Sequence, residues 1–379
     1  MSKNLAIIAP HIGALSETFI RRHMERLLPK RTVIIAGTKN KPYSGHWDID
    51  CPQLILNQVY KKRNLIQKLY NKITDAPSYE KDINLMAGKK FLQKYKVEII
   101  LGEYLGYTIP WIPVAQSLGI SIYAHAHGSD ISSSLQDKYW QDKYKELAQA
   151  TGIITINQPS YKRLINIGIP ANKIHIIHYG ADIPSKPCQR KSQKIIKCLA
   201  VGRMVSKKAP ILVLDAFRRA TEYFPNLHLD YIGTGPLLAA TRQYLIAFNL
   251  TEKVTLHLGQ PNEVVHQFMK EADIFIQHSI TDPDTGDEEG LPVAIIEAMG
   301  YALPVISTKH AGIPEAVQEG ESGFLVDEGD STGMAKRIIE LANNDELRVN
   351  LGNFAWQKAR KQFTWERERK DLCDLIGAN

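Results

Sequence analysis

Residues 287–300, with the sequence DEEGLPVAIIEAMG, hold two glutamates that could act on one ligand. Pro292 predicts the first turn of a helix, so Glu289 lies in the loop that enters the helix and Glu297 lies further along it. Free backbone N–H groups around Leu291 and the helix dipole favour an anion at that end. The segment therefore suits a phosphorylated, hydroxyl-rich ligand. An ordinary acidic helix N-terminus has the same pattern, and the spacing does not decide between the two.

A second charged group follows a predicted strand, in the segment VGRMVSKKA at 201–209. Arg203 can bind two phosphate oxygens through its planar guanidinium, and Lys208 brings a compact positive charge to the start of the next helix. A diphosphate is the ligand that this pair favours. The alternative interpretation is a solvated basic turn.

Two histidines occur in the segment YAHAHGSD at 123–130, at the carboxyl end of a predicted strand. Strand alternation puts His125 and His127 on the same face, where two imidazoles could bind a metal. No third ligand with metal-site spacing lies nearby in the sequence. We therefore predict that His127, next to Gly128, makes a polar contact to a substrate.

Asp282 and Asp284 form a D-x-D pattern, with which many sugar-nucleotide enzymes hold a divalent cation. These two aspartates share their loop with three further acidic residues. A solvated acidic loop explains this composition better than a cation site does. The sequence therefore predicts no metal.

The elements that must position these residues alternate between short apolar strands and amphipathic helices, which predicts parallel sheets covered on both faces. Strands are predicted at 5–9, 32–36, 99–101, 120–125, 152–156, 174–178, 195–201, 227–232, 254–258, 274–278, 304–307 and 323–326. Helices are predicted at 17–28, 64–73, 82–95, 136–150, 159–167, 210–223, 236–248, 292–301 and 331–341.

The alternation of strands and helices is interrupted at residues 184–193, PSKPCQRKSQ. This segment is polar and carries two prolines, which predicts a linker. The sequence thus predicts two doubly wound Rossmann-like α/β domains, at 1–184 and 194–362, joined by a linker at 185–193. A ligand cleft is expected between them, at the carboxyl ends of both sheets. Residues 363–379 are predicted to form a C-terminal helix that could cross back to the first domain.

Composition agrees with a two-domain globular chain. The 379 residues are 44% hydrophobic, and a single core stops growing near about 250–300 residues. The longest apolar runs, such as 153–156 and 291–296, are far shorter than the ~20 residues of a membrane span. The N-terminal segment lacks the features of a signal peptide. The four cysteines show no pairing pattern, which favours reduced thiols in a cytoplasmic enzyme.

Charge is distributed unevenly. Residues 1–190 hold 26 Lys and Arg against 14 Asp and Glu, and residues 191–379 hold 21 against 26. Different partners are therefore expected for the two halves. The basic half has no aromatic RNA-binding stripe, zinc knuckle or basic heptads, so no nucleic-acid partner is predicted.

Together these motifs resemble glycosyltransferase family 4, the retaining enzymes of the GT-B fold, over nearly the whole chain and in the family's usual order. SETFI at 16–20 and the acidic insert at 281–288 further resemble the exopolysaccharide subgroup, of the colanic-acid and cyanobacterial envelope-polysaccharide type. The motifs that carry the family resemblance are E-x7-E at 289–297, GR…KK at 202–208, IGTGP at 232–236, HG at 127–128, HYGAD at 178–182 and AGIPE at 311–315.

The resemblance implies that Arg203 and Lys208 hold the diphosphate of a nucleotide-sugar donor. It implies that Glu297 binds the ribose hydroxyls and that Glu289 binds the hydroxyls of the donor sugar. His127 would lie beside that sugar, near the reacting carbon. These residues, apart from Glu297, are the expected catalytic group.

Backbone groups complete the implied donor site. The backbone at Gly290 and Leu291 would bind phosphate and sugar, Gly13 would approach the diphosphate, and Gly259 with Gln260 would meet the base. Two positions depart from the family pattern. Ala209 replaces the usual glycine after the lysine pair, and the loop at 11–15 has one glycine where many relatives have two.

The implied reaction is a metal-independent transfer of a hexose, with retention, from a nucleoside-diphosphate sugar to an exopolysaccharide acceptor. UDP-glucose is the expected donor and no cofactor is expected. The first domain would face a carbohydrate or lipid-linked acceptor. Alternatives on the same scaffold are a sugar-nucleotide epimerase, a phosphorylase, or a non-catalytic sugar-nucleotide-binding protein. The glycines at 233 and 235 are too small a fragment of G-x-G-x-x-G to favour a dehydrogenase.

Residues 57–74 suggest reversible contact with an anionic membrane surface, at the inner face of the cytoplasmic membrane. Apolar residues at 65, 66, 69, 70 and 73 would share one helical face, and five Lys or Arg surround it. An ordinary core-facing helix with a basic solvent face fits slightly better.

Overall fold

The computed structural model describes residues 3–14, 16–39, 47, 49–61, 77–190 and 194–378. It divides into two compact units. The first comprises Met1–Thr155, Tyr161–Ile177 and Arg369–Asn379, and the second comprises Ile156–Ser160 and His178–Glu368. The division at His178 falls before the predicted linker at 185–193, and the predicted domain limits stay a prediction.

The first unit is built on a parallel seven-stranded sheet in the order β3-β2-β1-β4-β5-β6-β7. Strand β1 pairs with both β2 and β4, so the order of the strands reverses between β1 and β4. At such a reversal the loops after the two strands lead away from each other and leave room for polar groups at the carboxyl ends. The strands are β1 Leu5–Ile12, β2 Thr32–Lys39, β3 Gln53–Ile55, β4 Ile99–Glu103, β5 Ser121–His125, β6 Gly152–Thr155 and β7 Ile174–Ile176.

The second unit has a parallel six-stranded sheet in the order β10-β9-β8-β11-β12-β13, with its reversal between β8 and β11. Leu199 in β8 and Phe275 in β11 are fully buried and lie opposite each other in the register. The strands are β8 Ile196–Val201, β9 Leu227–Ile232, β10 Val254–His257, β11 Ile274–Ile276, β12 Val305–Thr308 and β13 Gly323–Val326. The prediction of two doubly wound parallel sheets is confirmed.

Helices connect the strands. The predicted helix at 17–28 is an α-helix continued by a π-helix, His23–Leu27, and the one at 136–150 ends in a 3-10 turn, Lys145–Gln149. The α-helices are Thr18–Arg22, Leu56–Lys61, Pro77–Lys94, Leu105–Thr108, Ile112–Leu118, Gly128–Ile131, Lys138–Tyr144, Gln158–Asn166, Pro210–Tyr223, Leu238–Ala247, Asn262–Glu271, Val293–Gly300, Ile313–Ala316, Ser331–Ala342, Asp345–Gln362 and Trp365–Ile376.

The predicted helix at 64–73, and with it most of the basic segment at 57–74, lies outside the described residues. Within the part of the chain that the structure describes, no helix is both long enough and apolar enough to span a membrane.

Candidate functional site

Glu289 lies between two lysines in the second unit. Its Oε2 is 2.9 Å from Lys208 Nζ and its Oε1 is 3.6 Å from Lys207 Nζ. Lys207, which the sequence analysis did not single out, also pairs with Asp287 at 2.9 Å and donates to the carbonyl oxygen of Glu288 at 3.0 Å. The acidic insert is thus fixed to the basic turn after β8 by one buried ammonium.

The electrostatics of this cluster keep Glu289 ionised. Burial alone would favour the neutral acid, but the charges of Lys208, Lys207 and Arg203 lower the pKa of Glu289 to about 2. Burial is also the largest effect on Lys208, whose pKa is lowered although Glu289 opposes the change. A carboxylate and two ammonium groups therefore share a site from which most water is excluded, where electrostatic interactions are strong.

Backbone contacts hold the loop that carries Glu289. The N–H of Glu289 donates to His310 Nε2 at 3.1 Å, and the N–H of Gly312 donates to the carbonyl oxygen of Gly290 at 2.9 Å. A side chain at Gly312 would place its Cβ 2.6 Å from that same oxygen, and a side chain at Gly290 would collide with Ile156 Cδ1. The contact at Gly312 is with backbone, which cannot move aside easily, so glycine is needed there for this close approach.

Glu297 is buried in the helix Val293–Gly300. Its Oε1 accepts a hydrogen bond from Asn262 Nδ2 at 3.4 Å and lies 3.6 Å from His266 Nε2. Both partners lie on the helix Asn262–Glu271, which the sequence analysis did not predict. The two glutamates of the E-x7-E pattern therefore have separate neighbours and can contact separate parts of a ligand.

The basic turn itself requires unusual backbone geometry. Ala209 adopts a left-handed conformation with φ of 39°, at the position where the family usually has glycine. Gly233 and Gly235 lie directly against the backbone of this turn, since a Cβ at either would contact the carbonyl oxygen of Gly202 or Met204. The glycine pair therefore serves close packing of the turn.

The remaining predicted donor residues lie at loops beside the sheets. Arg203 is exposed, and among the described residues no hydrogen bond or ion pair holds its guanidinium. Gly259 is exposed and Gln260 half-buried after β10, and Leu291 is buried at the entrance to the helix. In the first unit, Gly13 follows β1 with φ of 102°, a conformation that favours glycine.

A separate cluster surrounds Glu103 at the end of β4 in the first unit. His23 Nδ1 lies 2.7 Å from its Oε1, while His127 Nε2 and His125 Nδ1 lie 2.9 and 3.2 Å from its Oε2. The side chain of His127 also accepts the backbone N–H of Asp130. Both ring nitrogens of His127 are therefore engaged, and its predicted polar contact to a substrate, still a prediction, requires one bond to be exchanged.

Glu103 is fully buried, which disfavours its charge, yet His23 and His125 hold its pKa well below the usual range. Burial lowers the pKa of His125. Ligand atoms of His23, Glu103 and His125 all lie within 4.8 Å of one another, close enough to hold a metal ion. The sequence offered His125 and His127 alone, because His23 and Glu103 join the cluster only through the order of the sheet.

Asp282 and Asp284 lie in an exposed turn of the acidic insert. Asp282 Oδ1 accepts the backbone N–H groups of Asp284 and Thr285 at 2.9 and 3.0 Å. These bonds, that of Thr285 first, lower the pKa of Asp282. Its carboxylate therefore stabilises a turn, and the predicted solvated acidic loop stays a prediction.

Comparison with known proteins finds a family match that lies within the second unit. Residues 185–358 match the family Glycosyl transferases group 1. The amylovoran biosynthesis glycosyltransferase AmsK of Erwinia amylovora is 29% identical over 269 residues, 70% of this chain and 65% of its own length. The putative colanic acid biosynthesis glycosyltransferase WcaL of Escherichia coli K12 is 30% identical over 258 residues, 66% of this chain and 63% of its own. Each match spans less than two thirds of the relative.

Solved structures resemble the fold of the whole chain. Anabaena Alr3699/HepE in complex with UDP aligns with a TM-score of 0.78 and 15% identity, covering 99% of this chain and 100% of that one. The lipopolysaccharide outer core galactosyltransferase WaaB, in its apo form, aligns with a TM-score of 0.70 and 16% identity, covering 99% of each chain. The chain has the GT-B fold that the sequence predicted, and the match to the family Glycosyl transferases group 1 covers residues 185–358.

Proposed function

We propose that this protein is a retaining, metal-independent hexosyltransferase that uses a nucleoside-diphosphate sugar, with UDP-glucose as the first candidate donor. The observation that carries the proposal is the ionised Glu289 between Lys207 and Lys208, at the entrance to the helix Val293–Gly300. Lysines can bind a diphosphate and a carboxylate can bind sugar hydroxyls. This site brings the two together in a partly buried setting.

Lys208 and Arg203 would each stabilise the negative charge that grows on the leaving diphosphate during the reaction. Lys208 has three ammonium protons and uses one toward Glu289, so the others remain for phosphate oxygens. Arg203 extends into solvent, where it can close on the same diphosphate. Stabilising the leaving diphosphate is the largest effect that such a site can supply, and these cations would replace a metal ion in that role.

The two glutamates divide the donor between them in this proposal. Glu289 binds hydroxyls of the transferred sugar, because it lies beside the lysines that would hold the diphosphate. Glu297, beside Asn262 and His266, binds the ribose hydroxyls. Backbone groups at Gly259 and Gln260 meet the base, and Gly13 comes close to the diphosphate.

The choice of donor and acceptor is supported by relatives. One structure of HepE contains UDP-glucose, and AmsK and WcaL are named for exopolysaccharide biosynthesis. We therefore propose that the acceptor is a growing exopolysaccharide, carried on a lipid at the inner face of the cytoplasmic membrane. The subgroup of glycosyltransferase family 4 that the motifs resemble is consistent with this acceptor.

The test is to incubate the protein with UDP-glucose, UDP-galactose and GDP-mannose, each with and without a lipid-linked sugar acceptor. Release of nucleoside diphosphate that depends on acceptor, with an axial anomeric linkage in the product by NMR, would support retaining transfer. Glu289→Gln is the matched inactive control. Conversion of the donor to its epimer, or binding without any release, would refute the proposal and favour an epimerase or a non-catalytic binding protein.

A further inference from the structure

We propose that His310 is a positioning residue of the donor site: together with Glu328 it fixes the backbone of Glu289 and so directs that carboxylate. The importance of this direction for catalysis rests on the proposed function. His310 lies just after β12, and its side chain is only 1% exposed. The motif AGIPE at 311–315 directly follows it, and His310 itself belongs to none of the motifs named above.

The hydrogen bonds of His310 define its protonation. Its Nε2 accepts the backbone N–H of Glu289 at 3.1 Å, so this nitrogen carries no proton. Its Nδ1 lies 2.6 Å from Glu328 Oε1 and must then be the protonated nitrogen, which donates to that carboxylate. Glu328 is fixed in turn, because its Oε2 accepts the backbone N–H of Thr281 at 2.8 Å. The imidazole is therefore neutral, with a single tautomer held at both ends.

The position of the Glu289 backbone determines where its carboxylate can lie. Glu289 reaches Lys208 at 2.9 Å, and Gly290, the following residue, is held by the N–H of Gly312. Residues 310–312 therefore hold two consecutive residues, Glu289 and Gly290, of the loop that leads into the helix Val293–Gly300. Without the bond to His310, the N–H of Glu289 would lose this acceptor, and the loop would no longer be held at that point.

A pair of substitutions separates the two bonds of His310. In His310→Gln, the amide oxygen can occupy the place of Nε2 and still accept the N–H of Glu289, while the bond to Glu328 is lost. In His310→Asn, the shorter side chain can donate to Glu328 from near the place of Nδ1, but it leaves Glu289 without an acceptor. A merely structural role would make both variants equally poor.

We expect His310→Asn to lower kcat for sugar transfer by about tenfold or more, and His310→Gln to lower it by less than about threefold. The KM for the donor should change less than kcat in either variant, since Arg203 and Lys208 would still hold the diphosphate. His228→Asn is the control, because the Nε2 of His228, in the same unit, is also hydrogen-bonded, to Thr255 Oγ1 at 3.1 Å, and neither residue contacts Glu289 or Glu328. This control should retain kcat.

A measurement independent of activity is amide hydrogen exchange at Glu289. The exchange should be faster in His310→Asn than in the parent protein and in His310→Gln. Glu328→Ala removes the partner of Nδ1 but leaves Nε2 in place, so it should give a smaller increase. Equal losses of kcat in the Asn and Gln variants, or unchanged exchange at Glu289 in His310→Asn, would overturn the proposal. If the parent protein transfers no sugar, the proposed function fails, whereas the exchange data still decide the positioning role.

Discussion

Replacing Lys208 by methionine should cost stability at neutral pH and cost much less in acid. The pKa of Glu289 is lowered from 4.5 to about 2, chiefly by Lys208 among the charges that oppose its burial. Each unit of pKa is about 1.4 kcal/mol, so ionised Glu289 contributes about 3 kcal/mol in this site. Lys207 remains in the variant at 3.6 Å. We therefore expect a loss of about 1–3 kcal/mol at pH 7.

The dependence on pH follows from the direction of the pKa shift. A carboxylate with a lowered pKa stabilises the folded state fully above its unfolded pKa of about 4.5. This contribution disappears as the pH falls through the folded value of about 2. In Lys208→Met the pKa of Glu289 rises, so the variant loses the contribution at higher pH than the parent protein does. The difference between the two should shrink steadily from pH 5 to pH 2.

Urea unfolding at several pH values, followed by a signal from the second unit, measures this difference. A cycle of Lys208→Met, Glu289→Gln and the double variant isolates the coupling between the two side chains. Burial disfavours both charges, so the double variant should be less destabilised than the sum of the single variants. A cost that does not change with pH, or a coupling near zero, would refute the role assigned to this pair.

Further measurements address the remaining parts of the proposed site. Arg203→Ala should lose a charge-assisted contact of about 1.5–3 kcal/mol, mostly in the transition state, and turnover near the parent value would contradict this. Activity should survive excess EDTA, and complete loss restored by manganese or magnesium would contradict the metal-independent mechanism. Glu297→Ala should weaken UDP binding in calorimetry, whereas Glu289→Ala should leave it nearly intact while damaging transfer; equal effects would refute the division between them. Cosedimentation with anionic liposomes should fade with salt and with charge reversal at 61–63, and equal binding to neutral vesicles would exclude electrostatic docking.

Parallel strands could be predicted because both of their faces are buried, which makes them short continuous apolar runs such as those in β1 and β8. β3 is only three residues long and gives no such signal. The helix Asn262–Glu271 was not predicted, although Val265 and Met269 are buried four residues apart on one face. In Asp345–Gln362 the buried face consists largely of small residues, together with Leu351 and Arg348, so hydrophobic periodicity is weak.

Some residues of the candidate site could also be predicted from the sequence, whereas others could not. Glu289, Lys208 and Glu297 could be named from the sequence because a loop and the helix it enters set their spacing. His310 and Glu328 reach Glu289 only because β12 and β13 are neighbours in the sheet. No local spacing encodes that order. Sequence patterns therefore identify groups that share one element, while groups supplied by a neighbouring strand require the topology.

The predicted linker shows how a polar segment can also support the site. Arg190 lies within it, yet its guanidinium is half-buried and donates to backbone carbonyl oxygens at the ends of two helices. Met269 lies in the last turn of Asn262–Glu271 and Ala272 directly follows that helix, while Tyr301 and Ala302 follow Val293–Gly300. The last carbonyl groups of a helix have no partner within it, and a cation there also interacts favourably with the helix dipole. One arginine thus ties together the helix that carries Asn262 and His266 and the helix that carries Glu297. The arrangement of Asn262, His266 and Glu297, which we propose binds the ribose, therefore depends on Arg190, a residue in a segment that the sequence predicts only as a linker.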